Sequence, residues 1–124
     1  MDISSLGKES YINLETFRKN GEGVKTPVWV VGKNGKLYVW TGADSWKVKR
    51  IRHNGQVRVA KSDARGNTDG SWITAQARIL DTPNADQQLQ RELAAKYGLM
   101  YRLTRLVQRL RGAGNVKRVV IEIS

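Results

Sequence analysis

The chain of 124 residues contains no cysteine and only one histidine, His53. Without cysteine there can be no disulfide bond, no thiolate nucleophile and no Cys-ligated zinc or iron–sulfur site. A single histidine offers neither a histidine-rich metal site nor a spare base for a Ser–His–Asp triad, and we expect it at the surface near a helix end. Hydrolysis by a metal or an activated nucleophile is therefore poorly supported. The lack of cysteine fits a cytoplasmic protein.

Long apolar runs are missing as well, since no stretch approaches the ~20 residues that span a bilayer. The N-terminal segment MDISSLGKESY has no basic region followed by an apolar run, so we expect no signal peptide. There is no Walker-type GxxxxGK(S/T) motif, and Gly21-Glu22-Gly23 lacks the third glycine of a dinucleotide fingerprint. No repeat or linker divides the chain, which predicts one domain over residues 1–124.

Acidic residues are scarce: 11 Asp and Glu stand against 22 Lys and Arg, for a net charge of +11. Such a charge attracts phosphates, nucleic acids and anionic lipids without choosing among them. Six Lys or Arg and no acid lie between Asp44 and Asp63, and seven and no acid lie between Glu92 and Glu122. The second stretch contains a row of helical arginines: Arg102, Arg105 and Arg109. We interpret this row as a solvated face, with a nucleic-acid or anionic-lipid contact as the alternative.

Apolar periodicity and turn signals predict six strands and two helical regions. The strands are expected at Tyr11–Lys19, Val24–Gly32, Leu37–Thr41, Gln56–Ser62, Ser71–Asp81 and Val116–Ile123. The helices are expected at Trp46–Arg52 and from Pro83 to Leu110, with a break at Tyr97-Gly98 and an end at Gly112-Ala113-Gly114-Asn115. Because the connections between strands are mostly hairpins, the order predicts a mainly antiparallel barrel with helices packed outside it.

Three local patterns refine this prediction. Asn34-Gly35 is a strong hairpin signal between the second and third strands. The continuous run Val28-Trp29-Val30-Val31 predicts burial on both faces of the second strand. The last helical segment carries an apolar stripe at helical spacing. Its members are Leu99, Met100, Leu103, Leu106, Val107 and Leu110.

The corner from Thr41 to Arg52 is the candidate site. Asp44 or Ser45 can cap the helix that follows, and its first turns carry three cations. These cations are Lys47, Lys49 and Arg50. Free N–H groups and the helix dipole favour an anion there, and Thr41 and Ser45 could offer hydroxyls to the same phosphate. The alternative is a solvated basic helix that only packs Val48 and Ile51 against the core.

Four tryptophans provide possible stacking surfaces for a flat ring. Trp29 and Trp40 lie on the paired second and third strands, Trp46 lies in the corner, and Trp72 begins the fifth strand. Core packing is the simpler interpretation for each except Trp46, which stands beside a cap and cations. If the protein is an enzyme, the reactive atom belongs to a cofactor, and the chain supplies its placement and electrostatics.

The ordered motifs resemble the pyridoxamine-5′-phosphate-oxidase-like split-barrel superfamily, and more closely its small deazaflavin (coenzyme F420)-dependent members. The motifs that carry the resemblance are Thr16–Gly21, Thr26–Trp29, Leu37–Ser45 and Lys47–Arg52. The match runs from about Tyr11 to Leu80. Two features depart from the pattern: Trp46 replaces a small residue, and His53-Asn54-Gly55-Gln56 replaces a basic-Asp-Pro turn.

The resemblance implies a mainly β fold, a six-stranded antiparallel split barrel that forms a homodimer with a cofactor groove at the subunit interface. It implies that the phosphate lies at Ser45 and Lys47, with Lys49 and Arg50 nearby, and that the ring lies against the second strand and the end of the third. An aromatic residue at the position of Trp72 often reaches the partner's cofactor. The implied cofactor-binding residues are Thr26, Val28, Trp29, Thr41, Ser45, Lys47, Lys49, Arg50 and Trp72.

The resemblance also implies a function. The expected activity is hydride transfer between coenzyme F420 and an unsaturated small molecule, with no side-chain acid to name. F420 is preferred to FMN because its long anionic tail suits a strongly basic surface. The alternatives are an FMN-dependent oxidoreductase, a cofactor carrier without turnover, and a basic β-barrel that binds nucleic acid.

Overall fold

The computed structural model describes residues 3–112 and 117–124. A 3₁₀ helix, Ile3–Lys8, comes first. The strands are β1 (Tyr11–Phe17), β2 (Gly23–Val28), β3 (Val31–Lys33), β4 (Lys36–Gly42), β5 (Gln56–Ser62), β6 (Ile73–Leu80) and β7 (Arg118–Ile123). The helices are α1 (Trp46–His53), α2 (Pro83–Tyr97) and α3 (Leu99–Leu110). Part of the predicted helix end, Ala113 to Asn115, and the first residue of the predicted last strand, Val116, lie outside the described residues.

All neighbouring strands pair antiparallel, in the order β2-β1-β5-β6-β7-β4-β3. Strand β6 joins two halves of the sheet, because its residues 73–76 pair with β5 and its residues 77–80 pair with β7. The two edge strands, β2 and β3, follow each other in the chain with only Trp29 and Val30 between them. The sheet must therefore curl until its edges approach at these two residues, which makes it a half-open barrel with a seam.

The prediction of six strands was wrong, because the expected strand Val24–Gly32 is two strands. Val30 leaves the ladder: its N–H donates to the Tyr97 hydroxyl over 3.1 Å, and its carbonyl accepts from the Lys96 ammonium. The Trp29 indole stacks on the Tyr97 ring with centroids 4.4 Å apart. The last turn of α2 thus hydrogen-bonds the N–H and carbonyl groups of Val30 that a continuous strand would have paired. The break between the strands therefore leaves neither group unsatisfied.

The predicted hairpin turn is confirmed, whereas the run predicted to be buried on both faces is only partly so, because Val30 and Val31 are buried but Val28 and Trp29 are half-buried. Asn34 (φ 54°) and Gly35 (φ 77°) both take left-handed conformations between β3 and β4, as the two-residue hairpin turn requires. Ala75 and Ala77 of β6 are buried, and the alternating Gln76 is exposed. The interior of the barrel is aliphatic. Its largest fully buried side chains include Ile12, Leu14, Leu37, Val39, Val57, Val59, Ile121 and Ile123.

The three helices pack outside the barrel, as predicted, but they differ in what they bury. α1 buries Val48 and Ile51, and α2 buries Leu89 and Leu93 against the sheet. Gly98 (φ 53°) separates α2 from α3 at the predicted break. No side chain of α3 is buried, although its helix boundaries match the predicted apolar stripe. Within the described chain, no helix is both long and apolar enough to cross a bilayer.

Candidate cofactor-binding groove

The corner before α1 is built around Ser45. Its backbone is extended, and its hydroxyl oxygen accepts from the Val48 N–H over 3.4 Å, so Ser45 rather than Asp44 caps the helix. The Thr41 hydroxyl at the end of β4 also donates to this oxygen, over 3.4 Å. The cap therefore ties the start of α1 to the end of β4, and the serine proton stays available for an acceptor beside it.

A groove of about 210 Å³ runs along the seam where β2, β4 and α3 meet. We call it the seam groove. Its lining residues are Thr26, Pro27, Val28, Trp29, Trp40, Thr41, Lys47, Tyr101, Thr104, Arg105, Gln108 and Arg118. Three of these carry a positive charge and none carries a negative one. The groove thus combines indole and phenol rings with a lining of net positive charge, which attracts an anion.

Lys47 is the cation of α1 that faces the seam groove. Burial lowers the pKa of its ammonium, and the positive charge of Arg50 lowers that pKa further. The Lys47 ammonium has no hydrogen bond or ion pair with any residue in the described part of the chain. A half-buried ammonium without a partner is unfavourable, and an anion in the groove would relieve this cost.

Two arginines also line the groove, and both lie over the indole of Trp40. The guanidinium carbon of Arg105 lies 5.2 Å from the Trp40 ring centroid, and that of Arg118 lies 4.8 Å from it. Burial and then the charge of Arg105 lower the pKa of Arg118. Its buried Nε finds no acceptor among residues 3–112 and 117–124. The Asp86 carboxylate nearby already accepts from the Trp40 indole and from Gln90, so donors remain for an anionic ligand.

Two further cations of α1, Lys49 and Arg50, line a second cavity of about 430 Å³, which we call the basic pocket. Its lining residues are Phe17, Arg18, Lys19, Trp46, Lys49, Arg50 and His53. The Lys49 ammonium lies 4.5 Å from the ring centroid of Trp46, whose side chain is 70% exposed. Arg50 is held toward β1, since its Nε donates to the Thr16 hydroxyl over 3.3 Å. His53 is exposed at the end of α1, as predicted.

The structure therefore separates the predicted site residues into groups. Thr26, Val28, Trp29, Thr41 and Lys47 line the seam groove, and Ser45 adjoins it through Thr41. Lys49 and Arg50 do not line it; both face the basic pocket. Trp72 lines neither cavity and lies between Lys25 and Arg58, each 5.2 Å from its ring. The role of each of these residues in cofactor binding stays a prediction.

Sequence reasoning missed the contribution of α3 and β7 to the groove. The arginine row was interpreted as a solvated face, but Arg105 lines the groove. A signal was present: Tyr101, Thr104, Arg105 and Gln108 are spaced i, i+3, i+4 and i+7, which places one aromatic and three polar groups on one helix face. Arg118 offers no such local signal, because its position depends on the pairing of β7 with β4.

Comparisons with known proteins identify the fold of this chain. No protein-family model and no curated protein matches the chain. Among solved structures, a conserved hypothetical protein, Rv2991, from Mycobacterium tuberculosis aligns with a TM-score of 0.68 and 19% identity, covering 98% of this chain and 77% of that one. A candidate pyridoxamine 5′-phosphate oxidase from Listeria innocua aligns with a TM-score of 0.65 and 16% identity over 96% and 86% of the two chains. An F420-H2-dependent reductase, FDR-A, gives 0.61 and 16% over 93% and 94%.

The chain has the split-barrel fold of the pyridoxamine-5′-phosphate-oxidase-like proteins. Its structural neighbours include proteins described as an F420 reductase and an F420-H2-dependent reductase. At these identities the likeness concerns the fold alone. The ligand of this protein must therefore be inferred from the residues of the seam groove and not from the structural neighbours.

Proposed function

We propose that this protein is an oxidoreductase that binds the deazaflavin coenzyme F420 in the seam groove and transfers a hydride between it and an unsaturated small molecule. One observation carries the proposal: three cations and no acid line a groove whose other walls are aromatic side chains and the end of β2. A planar ring with an anionic tail matches both parts of that lining.

Each part of the groove has a distinct task in this proposal. Lys47, beside the hydroxyls of Thr41 and Ser45, holds the phosphate nearest the ring. The backbone at Val28 and Trp29 supports the ring itself, and Arg105 and Arg118 hold the remainder of the anionic tail. FMN has a single phosphate and would leave those arginines unused, which favours F420.

The bound coenzyme would supply the hydride, and the chain would supply orientation. Holding two reactants in line can contribute on the order of 7–11 kcal/mol by removing the entropy of their encounter. The lining contains no Asp, Glu or His, and in this proposal the proton that accompanies reduction comes from solvent. The indoles of Trp29 and Trp40 would help to exclude water from a coenzyme bound in the groove.

We propose that the active unit is a homodimer. One chain offers a groove of about 210 Å³, which is below the roughly 300 Å³ at which ligand pockets begin. A second subunit across the groove would enlarge it and would allow Trp72 to reach the partner's coenzyme.

A cytoplasmic location stays a prediction from the absence of cysteine.

Titration of the purified protein with F420 and with FMN, followed by fluorescence quenching, tests the proposal. We expect tighter binding of F420. Lys47→Ala should weaken it at least tenfold, about 1.4 kcal/mol, because the groove loses an unpaired ammonium. Lys49→Ala is the matched control, since this lysine of the same helix faces the basic pocket. The affinity of this variant for F420 should stay within twofold of the wild type.

Because burial lowers the pKa of Lys47, F420 affinity should also fall with rising pH before an exposed lysine would titrate.

Three results would contradict parts of the proposal. Failure of both ligands to saturate would remove the cofactor assignment, and equal losses in the two lysine variants would place the ligand elsewhere. Tight binding of F420 without reduction of an enone by the reduced coenzyme would identify a carrier rather than an enzyme.

A further inference from the structure

The exposed apolar surface of the described chain is concentrated on one helix. Seven large hydrophobic side chains are exposed, and six of them belong to α3, with exposures from 45% for Val107 to 79% for Leu110. We call these six the apolar face of α3: Leu99, Met100, Leu103, Leu106, Val107 and Leu110. The seventh is Trp46. Monomeric proteins rarely expose a contiguous apolar patch of this kind without a partner for it.

The helix is packed on the barrel by its polar side. The half-buried positions of α3 are Tyr101, Arg105 and Gln108, and these same residues line the seam groove. At 100° per residue the apolar face spans an arc of about 120°, and its centre lies roughly opposite those three residues. The apolar face therefore points away from the barrel and from the groove, so a ligand bound in the groove would leave this face uncovered.

The charges beside the apolar face all have one sign. Arg102 and Arg109 are exposed on one flank, Arg111 follows the helix, and the sequence holds no acid between Glu92 and Glu122. A helix with a wide apolar face, low overall hydrophobicity and a cationic flank is the type that lies in a membrane interface. A charged flank of this sign matches anionic headgroups, which attract each Lys or Arg near the surface.

We propose that α3 docks on an anionic lipid bilayer, with its apolar face at the boundary between headgroups and acyl chains and with Arg102 and Arg109 against lipid phosphates. Twelve residues are too few to span a bilayer as a helix, so α3 lies along the surface. The other side of α3 forms a wall of the seam groove, so docking would bring the groove close to the membrane. The docking does not depend on which cofactor the groove holds.

A second copy of the chain fits the apolar face less well. A two-fold interface places the same patch against itself, so the arginine flanks of two chains, each with a net charge of +11, would lie at one interface. A contact with a different surface would need a second apolar patch. Among the residues that the structure describes, Trp46 is the only large exposed hydrophobic outside α3.

Co-sedimentation with vesicles tests the proposal. We expect wild-type protein to bind vesicles of phosphatidylcholine mixed with phosphatidylglycerol and to stay in solution with phosphatidylcholine alone. The double variant Leu103→Ser/Leu106→Ser should bind the anionic vesicles at least tenfold more weakly, because it removes buried methylene groups from the lipid contact. Arg102→Gln/Arg109→Gln should bind severalfold more weakly and show less dependence on salt.

The controls separate this proposal from trivial effects. Trp46→Ser removes an exposed indole outside α3 and should leave vesicle binding unchanged. The leucine variant should unfold at the same temperature as the wild type and titrate with F420 equally well, since its changes lie away from core and groove. Failure of the membrane proposal is therefore visible independently of the cofactor proposal.

Three outcomes would overturn it. The wild type could remain in the supernatant with anionic vesicles. The leucine variant could bind as tightly as the wild type, in which case net charge alone would explain the vesicle binding. Light scattering could instead show a wild-type dimer that becomes a monomer in the leucine variant, without vesicle binding. In that case a second copy covers the apolar face.

Discussion

Helices α1 and α3 share a pattern and differ in how they use it. Both are short, basic and amphipathic, but α1 turns Val48 and Ile51 into the protein whereas α3 turns its apolar face outward. Ser45 caps α1 and connects it to β4, while α3 begins at Gly98 without a side-chain cap. The comparison teaches that amphipathic periodicity predicts that a face will be covered, but not what covers it.

The difference has a physical origin in the residues opposite each apolar face. On α1 both apolar side chains are buried, and Ile51 belongs to the aliphatic core cluster of the barrel. On α3 the polar side carries the better contacts: Tyr101 packs near Trp40 with ring centroids 6.2 Å apart, and Arg105 lies over the same indole. A helix that gains these contacts by its polar side must present its apolar side to something else.

The largest effect that tests this comparison is on stability. Ile51→Ala should lower the free energy of unfolding by about 2–5 kcal/mol, because it removes buried methylene groups and leaves a cavity. Leu106→Ala on the exposed face should change it by less than about 0.5 kcal/mol. Urea denaturation of both variants measures the two values. A loss of similar size for Leu106→Ala would show that the apolar face is buried within the protein's own assembly.

Local signals explain how much of the fold the sequence predicted. β5 matches its predicted bounds, and the hairpin at Asn34-Gly35 is confirmed, because a turn and the alternation beside it suffice to define both. The break in the predicted second strand could not be read in this way. It depends on the Tyr97 hydroxyl, which lies 67 residues away from Val30 in the chain.

The candidate site shows the same division. Thr26, Trp29, Thr41 and Lys47 follow from motifs on adjacent elements, and the structure brings them together in the seam groove. Lys49 was grouped with Lys47 because both follow the cap, but residues two apart on a helix point in different directions. Arg118 reaches the groove only through sheet pairing, which a single sequence does not specify.

A smaller effect compares two arginines of α3. Arg105→Gln should weaken F420 binding about tenfold, ~1.4 kcal/mol, because the guanidinium over Trp40 belongs to the cationic lining of the groove that attracts the anionic tail of the ligand. Arg102→Gln should leave that affinity unchanged, because Arg102 is exposed and does not line the groove. The fluorescence titration used for Lys47 measures both. If the two variants lose affinity equally, general attraction by net charge explains the binding and the groove assignment for Arg105 is wrong.

The smallest effect concerns the cap that α1 has and α3 lacks. Ser45→Ala should cost about 0.5–1 kcal/mol of unfolding free energy, at the low end for a cap because its 3.4 Å hydrogen bond to Val48 is long. Ser45→Asp should keep that stability, since aspartate caps well and its charge suits the helix N-terminus. The same aspartate places a negative charge near Lys47 and should weaken binding of an anionic coenzyme. Urea denaturation and the F420 titration together distinguish the two tasks of Ser45. The arrangement is supported if only Ser45→Ala loses stability and Ser45→Asp binds F420 more weakly. Undiminished affinity of Ser45→Asp would instead show that the phosphate does not lie at this corner.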